Sequence, residues 1–265
     1  MKAILLRAYV LLFVLFLLAP IVAITAGSLT TTSYVVFPPK GLTLKWYRQI
    51  LDQPQFIEAL GLSLAVGVGA ATIGTMLAMP VALALHRYQN PFNRFLHLLV
   101  MTPVMLPSVF LGLAFLVAYS WMGIGGSTWA LLAGHTMIAT PFTVSLILVG
   151  LTTVDPSLER AARSLGATAF GAFRRVTLPL VAWSLCAGWG FAFLISFGSL
   201  EVSLFLSTTT MLTLPVQVYS ALEWSPLDPL LTAISSGLVI ITLVVLVVTA
   251  RIVRMDRFLK GRAAN

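Results

Sequence analysis

Residues able to do chemistry are few enough in this chain to be weighed one by one. Its 265 residues include eight acids, sixteen bases, three histidines and the single cysteine Cys186. A phosphate-cradling loop needs Gly-x4-Gly-Lys-Ser/Thr, and no such run exists. No Gly-x-Ser-x-Gly elbow offers a nucleophile, and no His, Cys and Asp residues stand at metal-ligand spacing. One cysteine permits no internal disulfide. The chain is therefore expected to be non-catalytic, with no metal or cofactor of its own. Two features remain. One is a polar stretch at 153–178, where Glu159, Arg160 and Arg163 surround Ala161 and Ala162. The other is a pair of ionisable residues in apolar surroundings, Glu201 and His135. An acid in or near a membrane span is a functional candidate by default, and a snorkelling interfacial charge is the plain alternative. For Glu201 both readings stand. A lone histidine is more often an interhelix hydrogen bond than a ligand. Ser196, Ser199 and Ser108 join these two as candidate residues of a solute path.

The elements that must position these residues follow from composition. Hydrophobic residues make up 59% of the chain and charged residues only 9%, against about 25% charged in soluble domains. An ordinary soluble globule, a disordered chain and a disulfide-stapled secreted domain are excluded. Five uncharged apolar runs cover 8–33, 59–85, 95–154, 176–200 and 230–250. A bilayer-crossing helix needs roughly 20 such residues, so the third run must hold two. It divides at the glycine cluster Met122-Gly-Ile-Gly-Gly-Ser127. The expected architecture is an all-α polytopic membrane protein of six spans, near 6–28, 59–85, 95–121, 128–152, 179–203 and 229–251. The uncharged segment 202–222 is too rich in Ser, Thr and Gln for a seventh span. It reads as an outer loop with a short helix near 215–223. Lys2, Arg7 and the apolar run after them resemble a signal peptide, but the run outlasts a normal signal core. A retained anchor helix at 6–28 is expected, within a single transmembrane domain spanning 1–265 whose core helices occupy 59–251.

Charge placement orients these spans. On the side holding both termini lie Lys2, Arg7, Arg87, Arg94, Arg160, Arg163, Arg174, Arg175, Arg251, Arg254, Arg257, Lys260 and Arg262. The opposite side has Lys40, Lys45 and Arg48. Basic residues concentrate on the cytoplasmic face of membrane proteins, so both termini are expected there. The net charge of +8 then reflects topology and lipid headgroups, not nucleic acid. The one long inner loop is 153–178. Asp155-Pro156-Ser157 is a helix start, with Pro early and acid near the positive end of the dipole. Gly166 sits where that helix should stop. Phe170–Arg175 reads as a second short helix or the foot of span five, and Pro179 as the start of the crossing. A short surface helix presenting Ala161 and Ala162 suits a groove on a cytosolic partner; a solvated linker helix is the alternative.

The pattern Ala161-Ala162-x3-Gly166-x9-Val176-x-Leu178-Pro179 resembles the EAA loop of type I ABC-importer permeases. Met101–Gly112 and Gly134–Phe142 look like the third and fourth helices of that family. Val202-Ser-Leu-Phe-Leu206 and Leu214-Pro-Val-Gln-Val-Tyr-Ser220 look most like its polyamine branch, which includes aminoethylphosphonate, opine and ferric-iron systems. One departure is that Arg160 stands in the slot of the family's glutamate, with Glu159 one place earlier. The resemblance implies a permease of the bacterial inner membrane, half of a transmembrane path, working with a second permease (expected as a heterodimer), a cytosolic ABC ATPase dimer and a periplasmic solute-binding protein. ATP and Mg would sit on the ATPases. It implies a coupling helix between spans four and five, with Glu159, Arg160, Ala161, Ala162, Gly166, Leu178 and Pro179 as ATPase-coupling residues. It also implies a small solute, amine-bearing or cationic. The polyamine branch often has two neighbouring acids near the positions of Gly198 and Ser199; they are missing here, and Glu201 is the nearest acid. An ATP-independent secondary transporter would need charged relays deep in the spans or inverted repeats, and no charge lies deep in an expected span.

Overall fold

The computed structural model describes the backbone of residues 2–263 and the side chains of residues 5–251. The side chains of Lys2, Arg254, Arg257, Lys260 and Arg262, which enter the charge argument, lie outside the described residues. In chain order the helices are α1 (Lys2–Ser28), α2 (Lys45–Ile50), α3 (Pro54–Arg87), α4 (Pro91–Met105), α5 (Ser108–Trp121), α6 (Thr128–Thr152), α7 (Pro156–Ser164) and α8 (Ala169–Ala172). A π-helical segment, Phe173–Thr177, leads into α9 (Leu178–Phe197). Then come α10 (Glu201–Leu206), α11 (Leu214–Trp224) and α12 (Pro229–Ala263). Among the described residues there is no strand, only a single bridge between Thr208 and Met211.

Among the described residues five helices are long and apolar enough to cross a membrane, and six spans result if the pair α4 and α5 counts as one. The expectation of one helix over 95–121 is therefore corrected. The chain breaks at Leu106 and bends there by 108°. The cause is local. The ring of Pro107 disfavours helical backbone at the residue before it, and Leu106 is extended, at φ −98° and ψ 141°. Span five also ends earlier than expected. It ends at Phe197 with Gly198 as its cap, so Glu201 does not continue that helix but opens the separate α10.

The chain divides into two compact units, residues 1–61 with 214–243, and residues 62–213 with 244–265. In the first, Phe56, Ala59, Leu214, Val218, Leu231 and Ile234 form the core. There Tyr47 shares hydrogen bonds with Ser28 (2.7 Å) and Ser236 (2.6 Å). The flank of α1 over 5–20 is exposed throughout, as a lipid-facing helix would be.

The second unit is organised on α6, which is apolar all round and therefore buried on several sides. One cluster joins α3, α6 and α9 through Ala78, Ala82, Val144, Ile147 and Val181. Another joins α3, α5, α6 and α10 through Val66, Leu111, Phe115, Leu131 and Val202. Close approach replaces bulk where α6 meets α9. A Cβ on Gly150 would collide with Ser184, and one on Gly188 would lie 3.0 Å from the Thr143 methyl. Inside a membrane, small residues that admit tight backbone packing supply the attraction that water expulsion supplies elsewhere.

Candidate functional site

The loop helix α7 starts as its sequence dictates. The Asp155 carboxylate accepts from the Ser157 amide at 2.8 Å, and Pro156 fills the first turn. The Ser157 backbone and side-chain hydrogen bonds, aided by the nearby Arg160 charge, hold the Asp155 carboxyl below the usual carboxylate range. At the other end Gly166 takes φ +89°, a conformation costly for any residue with a Cβ. The Gly166 amide donates to Arg163 O (3.0 Å) and the Ala167 amide to Ala162 O (3.1 Å), closing the helix. Thr168 then caps α8 by accepting from the Gly171 amide. Pro179 stands at the start of the crossing helix, as expected. It lies in the first turn of α9, directly after the π-helical segment. Proline has no N–H for the carbonyl four residues back and its ring crowds that carbonyl; the wider π turn absorbs both.

No residue of α7 is buried. Ala161, Arg160 and Gly166 are exposed and Ala162 is half-buried. Leu158 (46% exposed) and Leu165 (90% exposed) extend the alanines into an apolar stripe, at a spacing of three and four that was visible in the sequence but not used. Leu178 packs against the Ala78–Val181 cluster, and Pro179 is exposed. Glu159 faces inward. Arg87 Nη2, at the end of α3, donates to Glu159 Oε1 at 2.8 Å and to Oε2 at 2.6 Å. Thr177 Oγ1 donates to Oε2 at 3.1 Å. Neither Arg87 nor Thr177 was singled out by sequence; a contact 72 residues apart leaves no local signal. Arg160 therefore holds the outward position.

The five path candidates separate into two groups. Ser108, Ser199 and Glu201 line one cavity of about 420 Å³, together with Pro103, Leu106 and Phe142. The break between α4 and α5 supplies one wall. The Glu201 carboxylate is exposed and has no ion-pair partner among the described residues. His135 and Ser196 are elsewhere. His135 is 1% exposed, with Nδ1 at 2.8 Å from Ser196 Oγ and Nε2 at 3.0 Å from Ser203 Oγ. The Ser203 hydroxyl donates to Ser199 O at 2.7 Å. A hydroxyl has one proton to give, so Nε2–H donates to Ser203 and Nδ1 accepts from Ser196. His135 is a satisfied tie between α6, α9 and α10. Ser203, unnoticed in the sequence, completes it. The described residues hold no group of three His, Cys, Asp or Glu suited to a metal.

The sequence profile of the binding-protein-dependent transport system inner membrane component matches residues 70–260. The chain is 28% identical over 239 residues to the spermidine/putrescine transport system permease protein PotC of Escherichia coli (strain K12), covering 90% of each. It is 30% identical over 211 residues to the putative 2-aminoethylphosphonate transport system permease protein PhnV of Salmonella typhimurium, covering 79% of each. Among solved structures it resembles a chain of a bacterial ABC transporter involved in import of the acidic polysaccharide alginate. The TM-score is 0.74 at 18% identity, over 94% of this chain and 95% of that one. At that identity the likeness establishes the fold.

Proposed function

We propose, from the premise that this chain belongs to the family of binding-protein-dependent transport system inner membrane components, that it forms half of the transmembrane path of an ATP-driven importer of a small amine-bearing solute. Six spans, with α4 and α5 together as the third, put both termini on the basic, cytoplasmic side. The helix α7 then faces the cytosol as the coupling helix. Its stripe of Leu158, Ala161 and Leu165, with Arg160 and Arg163 beside it, docks on an ATPase that carries the ATP and Mg. A sister permease completes the path, and a periplasmic binding protein delivers the solute. ATP binding and hydrolysis bias two packings of the helices, which open the path to alternate sides. The chain itself does no bond chemistry.

The observation that carries the solute class is the unpaired Glu201 carboxylate in the 420 Å³ cavity. A carboxylate beside hydroxyls Ser108 and Ser199 offers charge-assisted hydrogen bonds to an ammonium group. The solutes named for PotC and PhnV all carry an amino group, which supports the same class here. The test is uptake of spermidine, putrescine and 2-aminoethylphosphonate by vesicles holding the complete complex. Glu201→Gln is expected to raise the KM of the transported amine about tenfold or more. An unchanged KM and rate would remove Glu201 from the path. Failure of the wild-type chain to co-purify with a cytosolic ATPase would overturn the importer reading itself.

A further inference from the structure

Beyond its docking face, α7 poses a mechanical problem. A helix that transmits movement must be fixed to what it moves. Buried apolar side chains usually do that, and α7 has none. Its exit at Gly166 is a turn, open to bending. Its entry from α6 is the short segment 153–155. The polar contacts of Glu159 are the strongest connection left. They reach two other elements at once, the end of α3 through Arg87 and the foot of α9 through Thr177. Arg87–Glu159 is the one salt bridge among the described residues. In a chain so poor in charge, it stands at the junction of the loop helix with two spans. Thr177 is buried and belongs to the π-helical segment, a type of irregularity that recurs at functional sites.

We propose that Glu159 is a positioning residue, a strut that locks the coupling helix to α3 and α9 so that the three move as one body. The inference rests on the coupling role assigned to α7 above. It assigns Glu159 inward to the spans and leaves contact with the ATPase to Arg160 and the apolar stripe. The strut has a simple signature. During the ATP cycle the separation of α7 from the end of α3 stays constant, because one guanidinium nitrogen holds both carboxylate oxygens.

The experiment uses the assembled complex of this chain with its ATPase and sister permease, in lipid discs. Cys186→Ala provides a cysteine-free background in this chain. Spin labels at exposed Tyr88 and Ser164 report the distance from the α3 end to α7, without nucleotide and trapped with ATP and vanadate. In the wild type the two distances are expected to agree. In Glu159→Gln they are expected to differ by about 2 Å or more, the scale of helix shifts in switching proteins. The charge exchange Arg87→Glu with Glu159→Arg is expected to restore agreement. The same single variant is expected to hydrolyse ATP while importing at least about fivefold less solute per ATP. Distances that already differ in the wild type, or that agree in Glu159→Gln, would overturn the strut. So would a charge exchange no better than the single variants in complexes that assemble normally. These results would leave the importer reading intact. Absence of any ATPase in the wild-type complex would remove the premise instead.

Discussion

Glu159 on α7 and Glu201 on α10 carry the same carboxylate in opposite circumstances. Three hydrogen bonds from two distant elements hold Glu159 in place, whereas Glu201 stands at a cavity with no ion-pair partner among the described residues. The difference separates two uses of an acid in a protein with few of them. A carboxylate whose partners are internal positions the parts it joins. A carboxylate whose partner is missing is available to a visitor. Burial differs only in degree, because Glu159 is itself partly exposed. The partners draw the distinction.

The comparison can be broken most severely at Glu201. Glu201→Lys places a like charge where an amine should arrive, a juxtaposition that costs several kcal/mol. Uptake of an amine solute is expected to fall by about two orders of magnitude, with ATPase assembly unchanged by co-purification. Uptake at the wild-type rate would mean that the free acid is only interfacial. His135 sharpens the comparison from the other side, because it neighbours Ser199 in the fold but does not line the cavity. His135→Ala takes the acceptor from the Ser196 hydroxyl and one donor from the Ser203 oxygen, so stability in detergent is expected to drop by about 1–3 kcal/mol. The KM for solute should not move; a large KM change would put His135 in the path. Carbodiimide labelling then compares the two acids directly. Glu201 should react in the wild type, and Glu159 several-fold less. Arg87→Ala should free Glu159 and bring its labelling close to that of Glu201. Equal labelling of both acids in the wild type would erase the distinction.

The smallest effect concerns the start of α7. The Asp155 carboxyl titrates below the usual range because Ser157 hydrogen-bonds its charged form. Folded pKa below unfolded pKa means that its contribution is full above the unfolded value and is lost as pH falls through the folded one. A spin label at Ser164 should therefore become more mobile on acidification below the ordinary carboxylate range. Asp155→Asn, a comparable cap without the charge, should remove that pH dependence.

Local chemistry was legible in the sequence. Pro156 and Gly166 bracket α7 as read, α6 spans the expected 128–152, and a helix at 214–224 stands where a short one was expected. What escaped is of two kinds. Hydropathy measures the apolarity of a run and not its direction, so 95–121 reads as one rod although Pro107 turns it. Likewise Gly198 ends α9 inside the uncharged run 176–200. The second kind is distance. The partners of Glu159 are 72 and 18 residues away, and nothing in either local sequence announces them. The candidate list for the path held both the cavity-lining Ser108, Ser199 and Glu201 and the internally bonded His135 and Ser196. Only the direction in which each side chain points divides them.

The turn at Leu106 has a consequence for how a solute would be held. At 1.5 Å per residue, α4 and α5 are each only about 21–23 Å long, short of a hydrocarbon layer of about 30 Å. Bent by 108° at their break, they cross only together, as one broken span. The backbone groups freed at the elbow need hydrogen bonds that lipid cannot give. In the proposed role, the cavity they border, with Glu201 on its wall, would hold water between transport events. Binding there would be an exchange, in which an ammonium group takes over hydrogen bonds that water had been making. Affinity would follow the difference between those two sets of bonds, as release of a solute on every cycle requires.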